Sequence, residues 1–395
     1  MGHIVSRASF LTINRARCII LPLIFNSCSY SYSSVTHTST SLKISAMSVA
    51  ALASTPKIKT RILIISDTHG LKPKPKPKLS TDASTEDELS QNEAMWTYTG
   101  FREPLAEADV VLHCGDLTKR SRVSEYRDTF DMLRSIRAPL KLVIAGNHDF
   151  ALDEPYFYRE WNGSKDTVDA VRHIITNAKV DGVQYLTEGF HAFTLANGAR
   201  LKVFASPYTP SYGGWAFQYD DGHNFNIPSG ADIAMTHGPA RGILDLAGTP
   251  GSYTKAGCPD LLEAIYRARP KIHCCGHIHE AWGGRLVRWR EGDGGPTRIA
   301  SVVCSEGSEQ MALEDLMPDR STQDEETVKT KLNNLIEMSQ QRGAHVDLSE
   351  GPHRLTPGEQ TLFLNASILN RRYQPVHLPF LVDVELDKAE VTGLI

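Results

Sequence analysis

Asp67, His69, Asp116, Asn147, His148, His237, His277 and His279 carry oxygen and imidazole groups of the kind that bind hard or borderline metal ions, and they cluster just past short apolar runs. Arg61 to Ser66 gives way to Asp67-Thr68-His69-Gly70. Asp109 to Cys114 ends in Gly115-Asp116, and Leu140 to Ala145 ends in Gly146-Asn147-His148-Asp149. Asp232 to Thr236 ends in His237-Gly238-Pro239, and Lys271 to Cys275 ends in Gly276-His277-Ile278-His279. Apolar runs of this length read as buried strands. In an open parallel sheet the site forms at the carboxyl ends of strands, so all these ends are expected to converge on one crevice.

Local spacing points the same way. Asp67 and His69 are two apart, as are His277 and His279, which in extended backbone puts both side chains of a pair on one side. The glycines at 115, 146, 238 and 276 predict tight turns beside ions or substrate. Carboxylate, imidazole and amide together suit Mn, Fe, Zn or Mg, and the ligand groups are too many for one structural zinc. Two ions sharing one carboxylate fit the number better. Such ions, roughly 3.5–4 Å apart, clamp a phosphoryl oxygen and supply hydroxide for in-line displacement at phosphorus.

The elements that must position these residues follow from periodicity. Val123 to Ile136 has helical spacing between two of the apolar runs, which argues for a parallel strand-helix-strand unit. Phe150 to Asn177 reads as mostly polar helix with a break at Trp161-Asn162-Gly163-Ser164. Val183 to Leu195 and Ala199 to Ala205 read as strands joined by an Asn197-Gly198 hairpin. Pro259 to Arg269 reads as a helix with Pro in its first turn and Pro270 as its stop. Thr361 to Ala366 and Phe380 to Leu386 read as closing strands.

The 395 residues, 41% of them hydrophobic, are enough for one large domain with insertions. A net charge of -4 gives no support for bulk nucleic-acid binding. Residues 1–60 hold no acidic group, and Arg7, Arg15 and Arg17 flank an apolar stretch. They read as a disordered leader or mitochondrial transit peptide, absent if Met47 is the start. The expected compartment is the cytoplasm, or the mitochondrion if that leader is real. The core is expected over 61–290, with an exposed Lys-Pro insertion at 72–93, a polar low-complexity insertion at 291–358, and closing strands of the same domain at 359–395. No run reaches the length of a spanning helix. The seven Cys are scattered without a C-x-x-C pair, as for reduced thiols, and Cys274-Cys275 reads as core filling.

Asp67-x-His69, Gly115-Asp116, Gly146-Asn147-His148-Asp149, His237 and Gly276-His277-x-His279, in that order, resemble the signature of the calcineurin-like metallophosphoesterases. Thr236-His237-Gly238-Pro239, Ser206-Pro207-Tyr208-x-Pro210 with Trp215-Ala216-Phe217, and Asn365-Ala366-Ser367 resemble the metallophosphoesterase-domain-containing subfamily linked to cyclic-nucleotide phosphodiesterases. The resemblance implies a four-layer α/β/β/α sandwich with two central mixed sheets. It implies Asp67, His69, Asp116 and His279 at one divalent ion and Asp116, Asn147, His237 and His277 at the other, with Mn the first choice in vitro. His148 is then a non-ligand that binds the phosphate and protonates the leaving alkoxide, which its intrinsic pKa allows. Asp149 either orients His148 or stabilises a turn.

The expected enzyme is a metal-dependent phosphoric ester hydrolase acting on small phosphate esters, more as a diesterase than a monoesterase, with a nucleotide-like substrate. Asn147, His148, Tyr208 and Trp215 are the candidate substrate contacts, although Tyr208, Trp215 and Phe217 could equally pack over a sheet edge. The competing readings are a nucleotide-binding scaffold that retains the metal site, and a protein phosphatase. His113 and His273 lie inside apolar strands and read as core histidines. The absence of G-x-S-x-G, Walker, G-x-G-x-x-G and H-E-x-x-H patterns argues against serine hydrolase, P-loop and zincin chemistry.

Overall fold

The apolar runs form the centre of two mixed sheets. The computed structural model describes residues 55–75, 100–249, 252–289, 310–312, 324–351 and 353–390. The first half holds β1 (Lys57–Ile65), β2 (Val110–His113), α1 (Val123–Ser135), β3 (Leu140–Val143), α2 (Glu154–Glu160), α3 (Lys165–Ala178) and β4 (Val183–Tyr185). Next come β5 (Gly189–Thr194), β6 (Arg200–Ser206), β7 (Thr209–Pro210), β8 (Gln218–Tyr219) and β9 (Ile233–Thr236). The chain continues through β10 (Leu246–Thr249), β11 (Ser252–Lys255), α4 (Pro259–Ala268), β12 (Ile272–Cys275) and β13 (Gly283–Arg288). It closes with β14 (Gln310–Ala312), α5 (Glu325–Gln341), β15 (Ala344–Asp347), β16 (Gln360–Asn365) and β17 (Phe380–Asp387).

The first sheet runs β15-β17-β1-β2-β3-β4 and the second β14-β13-β16-β12-β9-β6-β5. Strands β1 to β4 are parallel, as are β6, β9, β12 and β16. Alternation along β1 explains the layering. Ile62 and Ile64 join Leu112, Leu142, Val203, Met235, Ile272 and Leu364 in the core between the sheets. Leu63 and Ile65 face the other way, onto Phe130 and Leu133 of α1 and Val168 and Val171 of α3. On the outer side of the second sheet, Leu261, Leu262 and Ile265 of α4 pack on Phe204, Ala234 and Phe363. Helices, sheet, sheet and helix make the four layers expected. Truncating a fully buried ring such as Phe130 to Ala costs about 3–5 kcal/mol in such a core.

Two expectations need correction. Val183 to Leu195 is not one strand: β4 belongs to the first sheet and β5 to the second, with the chain crossing between them at Leu186 to Glu188. The polar stretch at 291–358 is not a plain insertion, because β14 pairs with β13, and β15 pairs in parallel with β17 from Ala344↔Phe380 to Asp347↔Asp383. Both are edge strands, where a polar composition protects an open edge and hides the strand from a search for apolar runs. Residues 290–309 and 313–323 of that stretch lie outside the described residues, as do 1–54 of the leader. Of the Lys-Pro tract, Lys72 pairs with Asp128 at 2.9 Å and Lys74 bridges to Arg102, while 76–99 lie outside the described residues. Among the described residues no helix is long and apolar enough to cross a membrane.

Candidate metal centre

Strand register delivers the motifs to one edge. Ile65 pairs with His113 and His113 with Val143, so the chain leaves β1, β2 and β3 side by side, and β9 and β12 end in step through Cys274↔Met235. The turns that follow are laced together. Asp67 N–H donates to Gly115 O at 3.0 Å, His69 N–H to Asp116 O at 3.0 Å, and Gly276 N–H to His237 O at 2.9 Å. The His277 amide donates to the Asp67 carboxylate, and the His148 amide to Asp116 Oδ1 at 2.9 Å.

The backbone there is not extended, contrary to the spacing argument for Asp67 with His69 and for His277 with His279. Asp67, His69, Asp116 and His277 have φ of 55°, 47°, 53° and 68°. Left-handed backbone is uncommon outside glycine, though Asp and His tolerate it better than most, and it costs about 1–3 kcal/mol where strain is held by surrounding structure. Tight turning, not strand alternation, brings Asp67 and His69 together, while it sends His277 to Asn147 and His279 to Asp67. Gly146 and Gly276 serve by leaving room. A Cβ on Gly276 would lie 2.0 Å from Asp67 Oδ2, and one on Gly146 would lie 2.3 Å from Asp116 Oδ1.

The ligand-type atoms gather in two overlapping groups. Asp67, His69 and His279 offer atoms within 4.8 Å of one another, as do Asp67, Asp116 and His237. His279 Nε2 is 3.4 Å from Asp67 Oδ1, and His69 Nε2 is 3.5 Å from Asp116 Oδ2. His237 Nε2 is 3.5 Å from Asp116 Oδ1 and 3.0 Å from Asn147 Oδ1, which also sits 2.8 Å from His277 Nδ1. The far nitrogens are engaged. His69 Nδ1 lies 2.9 Å from Thr118 O, His237 Nδ1 2.9 Å from Cys114 O, and His279 Nδ1 3.2 Å from Asn370 O. A carbonyl at Nδ1 fixes the tautomer that presents a bare Nε2 inward, as metal-binding imidazoles require.

Electrostatics fit a cation as well. Burial pushes Asp116 well above the usual carboxylate range, and the Asp67 and Asp149 carboxylates add to it. Burial acts on Asp67 in the same sense, but His279, His237 and His69 outweigh it and hold its carboxyl well below that range. His69 is held well down, first by burial and then by the charges of His148 and His279. Among the described residues its buried Nε2 has no hydrogen-bond partner. A divalent cation would satisfy that nitrogen and offset the crowding of carboxylates.

His148 lies at the rim. Its Nδ1 is 2.9 Å from Lys119 O, its ring stacks on Trp215 with centroids 4.5 Å apart, and burial lowers its pKa to about 4. The Asp149 carboxylate accepts from the amides of Leu117, Thr118 and Gly146 and from Thr118 Oγ1. Those are the bonds of a turn clamp, joining the loops after β2 and β3. Tyr208 stands apart from the cleft and packs on Phe217 and His223, while Tyr212, Trp215 and Tyr373 line it. Core His113 and His273 each bond a threonine, Thr68 and Thr236, at 2.9 Å through Nε2. Their Nδ1 atoms have no hydrogen-bond partner among the described residues.

Other residues at the site carried no role in the sequence reading. Ser367 Oγ donates to Asp67 Oδ2 at 2.9 Å, and Asn365 Nδ2 to Ile278 O at 2.9 Å. Tyr373 meets the rings of His69 and His279 edge-on at 5.1 and 5.3 Å. Lys119, Arg120 and Arg371 line the cleft. For Ser367 and Asn365 the available signal was Asn365-Ala366-Ser367 at the end of an apolar run; for the others there was none.

Two packed mixed sheets with a carboxylate and imidazole cluster at their strand ends define a metal-dependent phosphoesterase architecture. A family model for calcineurin-like phosphoesterase matches residues 60–281, and the chain belongs to that family. Metallophosphoesterase domain-containing protein 1 of Homo sapiens is 31% identical over 215 residues, covering 50% of this chain and 60% of that protein. A probable rhamnogalacturonate lyase C of Emericella nidulans is 32% identical over 234 residues, covering 58% of this chain but 18% of that protein. The chain thus spans less than two thirds of the length of either relative. Among solved structures, phosphopantetheinyl hydrolase from Mycobacterium tuberculosis aligns at 14% identity and a TM-score of 0.32, over 67% of this chain and 99% of that one.

Proposed function

We propose that the protein is a dinuclear-metal phosphodiesterase acting on small, nucleotide-like phosphoesters. The observation that carries this reading is the convergence of Asp67, His69, Asp116, Asn147, His237, His277 and His279 from five strand ends, with His69 Nε2 left without a hydrogen-bond partner among the described residues. Asp67, His69, Asp116 and His279 would hold one ion, and Asp116, Asn147, His237 and His277 the other. Ions so held supply charge that stabilises phosphoryl oxygens and lower the pKa of water enough to give hydroxide at neutral pH.

The chain's own groups bind, orient and move a proton. Lys119 O accepts a hydrogen bond from Nδ1–H of His148, leaving Nε2 for the substrate. In its protonated form that nitrogen contacts the phosphate and gives its proton to the departing alkoxide oxygen. An anionic phosphoester beside the ring opposes the effect of burial and favours the protonated form. Trp215 stacked on the imidazole holds its plane. A diester exposes one anionic charge and two alkoxide groups, and the aromatic walls at Tyr212, Trp215 and Tyr373 suit an organic group on either side of the phosphorus. The test is turnover of bis-p-nitrophenyl phosphate against p-nitrophenyl phosphate by metal-reconstituted protein. The diester is expected to be the better substrate, and no turnover of either with Mn, Mg, Fe or Zn overturns the reading.

A further inference from the structure

The cleft carries positive charge beyond that of the metal cluster. Lys119 and Arg120 follow Thr118 on the loop leaving β2, three and four residues past Asp116, and both line the cleft. Arg371 enters from the opposite loop, but its Nε pairs with Glu280 at 3.0 Å. Among the described residues neither Lys119 nor Arg120 has a carboxylate partner. Lys119 Nζ lies instead over the Tyr373 ring, 4.2 Å from its centroid.

That arrangement is built rather than incidental. Tyr373 has φ of 58°, and its turn is closed by Asn370, whose Oδ1 accepts from the amides of Arg372 at 2.9 Å and Gln374 at 3.0 Å. A hydrogen-bonded turn thus holds a strained tyrosine with one face to the lysine and its edge to His69 and His279. The lysine backbone also anchors His148, through Lys119 O.

We propose that Lys119 and Arg120 form a second anion subsite, which selects phosphoesters bearing a further phosphate beside the scissile one. The proposal rests on the phosphoesterase reading, since it places the scissile phosphorus at the metal cluster. Adjacent unpaired cations repel, and one bound anion relieves both. A flexible ammonium and a planar guanidinium fork are the two side chains that bind phosphate best. The cleft, of about 390 Å³, is in the range of small-molecule sites and has room beyond a single phosphate.

The test compares ADP-ribose, whose pyrophosphate carries two anions, with p-nitrophenyl thymidine 5′-phosphate, which carries one, on the manganese-loaded full chain. The Lys119→Met, Arg120→Met double variant should raise KM for ADP-ribose about tenfold or more, and far less for the single-anion ester, with kcat little moved. Lys119→Arg with Arg120→Lys should restore KM. Calorimetry with pyrophosphate and orthophosphate gives a second readout: the chain should prefer pyrophosphate, and the double Met variant should lose that preference. An equal KM change on both substrates, or a pyrophosphate preference untouched by the substitutions, overturns the subsite while leaving the phosphoesterase reading intact. A Lys119- and Arg120-dependent pyrophosphate preference in a chain that turns over neither ester supports the subsite and sinks the phosphoesterase reading.

Discussion

Ser367 Oγ donates to Asp67 Oδ2 at 2.9 Å, joining the turn after β16 to the turn after β1 across 300 positions of chain. The contact is reinforced by the backbone, where Ser66 and Ser367 form an isolated parallel bridge and Ile368 N–H donates to Ser66 O at 3.0 Å. It ties the first sheet to the second at the metal edge, so the orientation of Asp67 depends on a residue from the far end of the fold.

Ser367→Ala should therefore weaken metal binding without unfolding the chain. Removing a hydrogen bond to a ligating carboxylate costs about 10- to 100-fold in metal affinity. Titration of Mn by calorimetry checks it, with circular dichroism as the control for fold. Unchanged affinity would mean that His277 N–H alone orients Asp67.

Gly276→Ala should be more severe. The new Cβ would sit 2.0 Å from Asp67 Oδ2 and 2.1 Å from Ser66 Oγ, both fully buried, so the carboxylate has to move. Overpacking of this kind costs about 1–3 kcal/mol in stability. Urea unfolding measures that loss, and metal titration should show the affinity falling with it. A variant as stable and as well metallated as the parent would show that the turn after β12 yields.

The clustering of the candidate ligands was legible because they combine two independent signals, an apolar run and a metal-binding residue type just beyond it. The core between the sheets was legible for the same reason, since Ile62, Leu112, Met235 and Ile272 stand in runs that only buried strands tolerate. What could not be read is how the turns aim. The left-handed backbone at Asp67, His69, Asp116 and His277 leaves no mark that separates it from extended backbone in a two-residue spacing. Tyr373 and Lys119 lie in short polar loops with no periodicity, and they reach the site through contacts with residues distant in sequence. Edge strand β15 was hidden by its composition, Ala344-His345-Val346-Asp347, and the β4 to β5 crossing by an unbroken alternation through Leu186.

Metal should stabilise the fold measurably. Binding at 100 times Kd adds about 2.7 kcal/mol, which for a domain of this size raises Tm by roughly 4–5 °C. Mn added to chelator-treated protein in a thermal scan checks the figure. Asp116→Ala should abolish most of the shift, because Asp116 stands between His69 and His237 at 3.5 Å from each. The same shift in the variant would place the ion elsewhere.

Away from the metal, acid stability should depend on Asp383. Burial opposes its charge, but hydrogen bonds from Arg61 and His345 prevail and hold its carboxyl below the usual range. A depressed pKa in the folded state contributes stability that is complete above the unfolded value, about 3.9, and is lost as pH falls from there through the lower folded value. Asp383→Asn should cost about 1–2 kcal/mol at pH 7, since Arg61 is half exposed and its pairing is screened. Its deficit should shrink below pH 4, as the parent loses the same contribution. Urea unfolding at pH 7 and pH 3 makes the comparison, and an equal deficit at both would assign the effect to packing of β17.

On the proposed mechanism, His148 serves the chemistry and not the binding of metal. Its ring is held by Lys119 O and Trp215, and His69 meets it edge-on at 4.9 Å, yet its Nε2 has no part in the two ligand groups. His148→Ala should therefore retain its metal content and lose about 100- to 10,000-fold in kcat. The loss should be smaller on p-nitrophenyl leaving groups, which depart without needing a proton, than on alkyl esters. Trp215→Ala should cost only about 2- to 10-fold, the value of one aromatic contact. Metal content by elemental analysis beside the two rates decides it: ions lost together with the rate would make His148 a ligand, and equal losses on both leaving groups would remove its role as the proton donor.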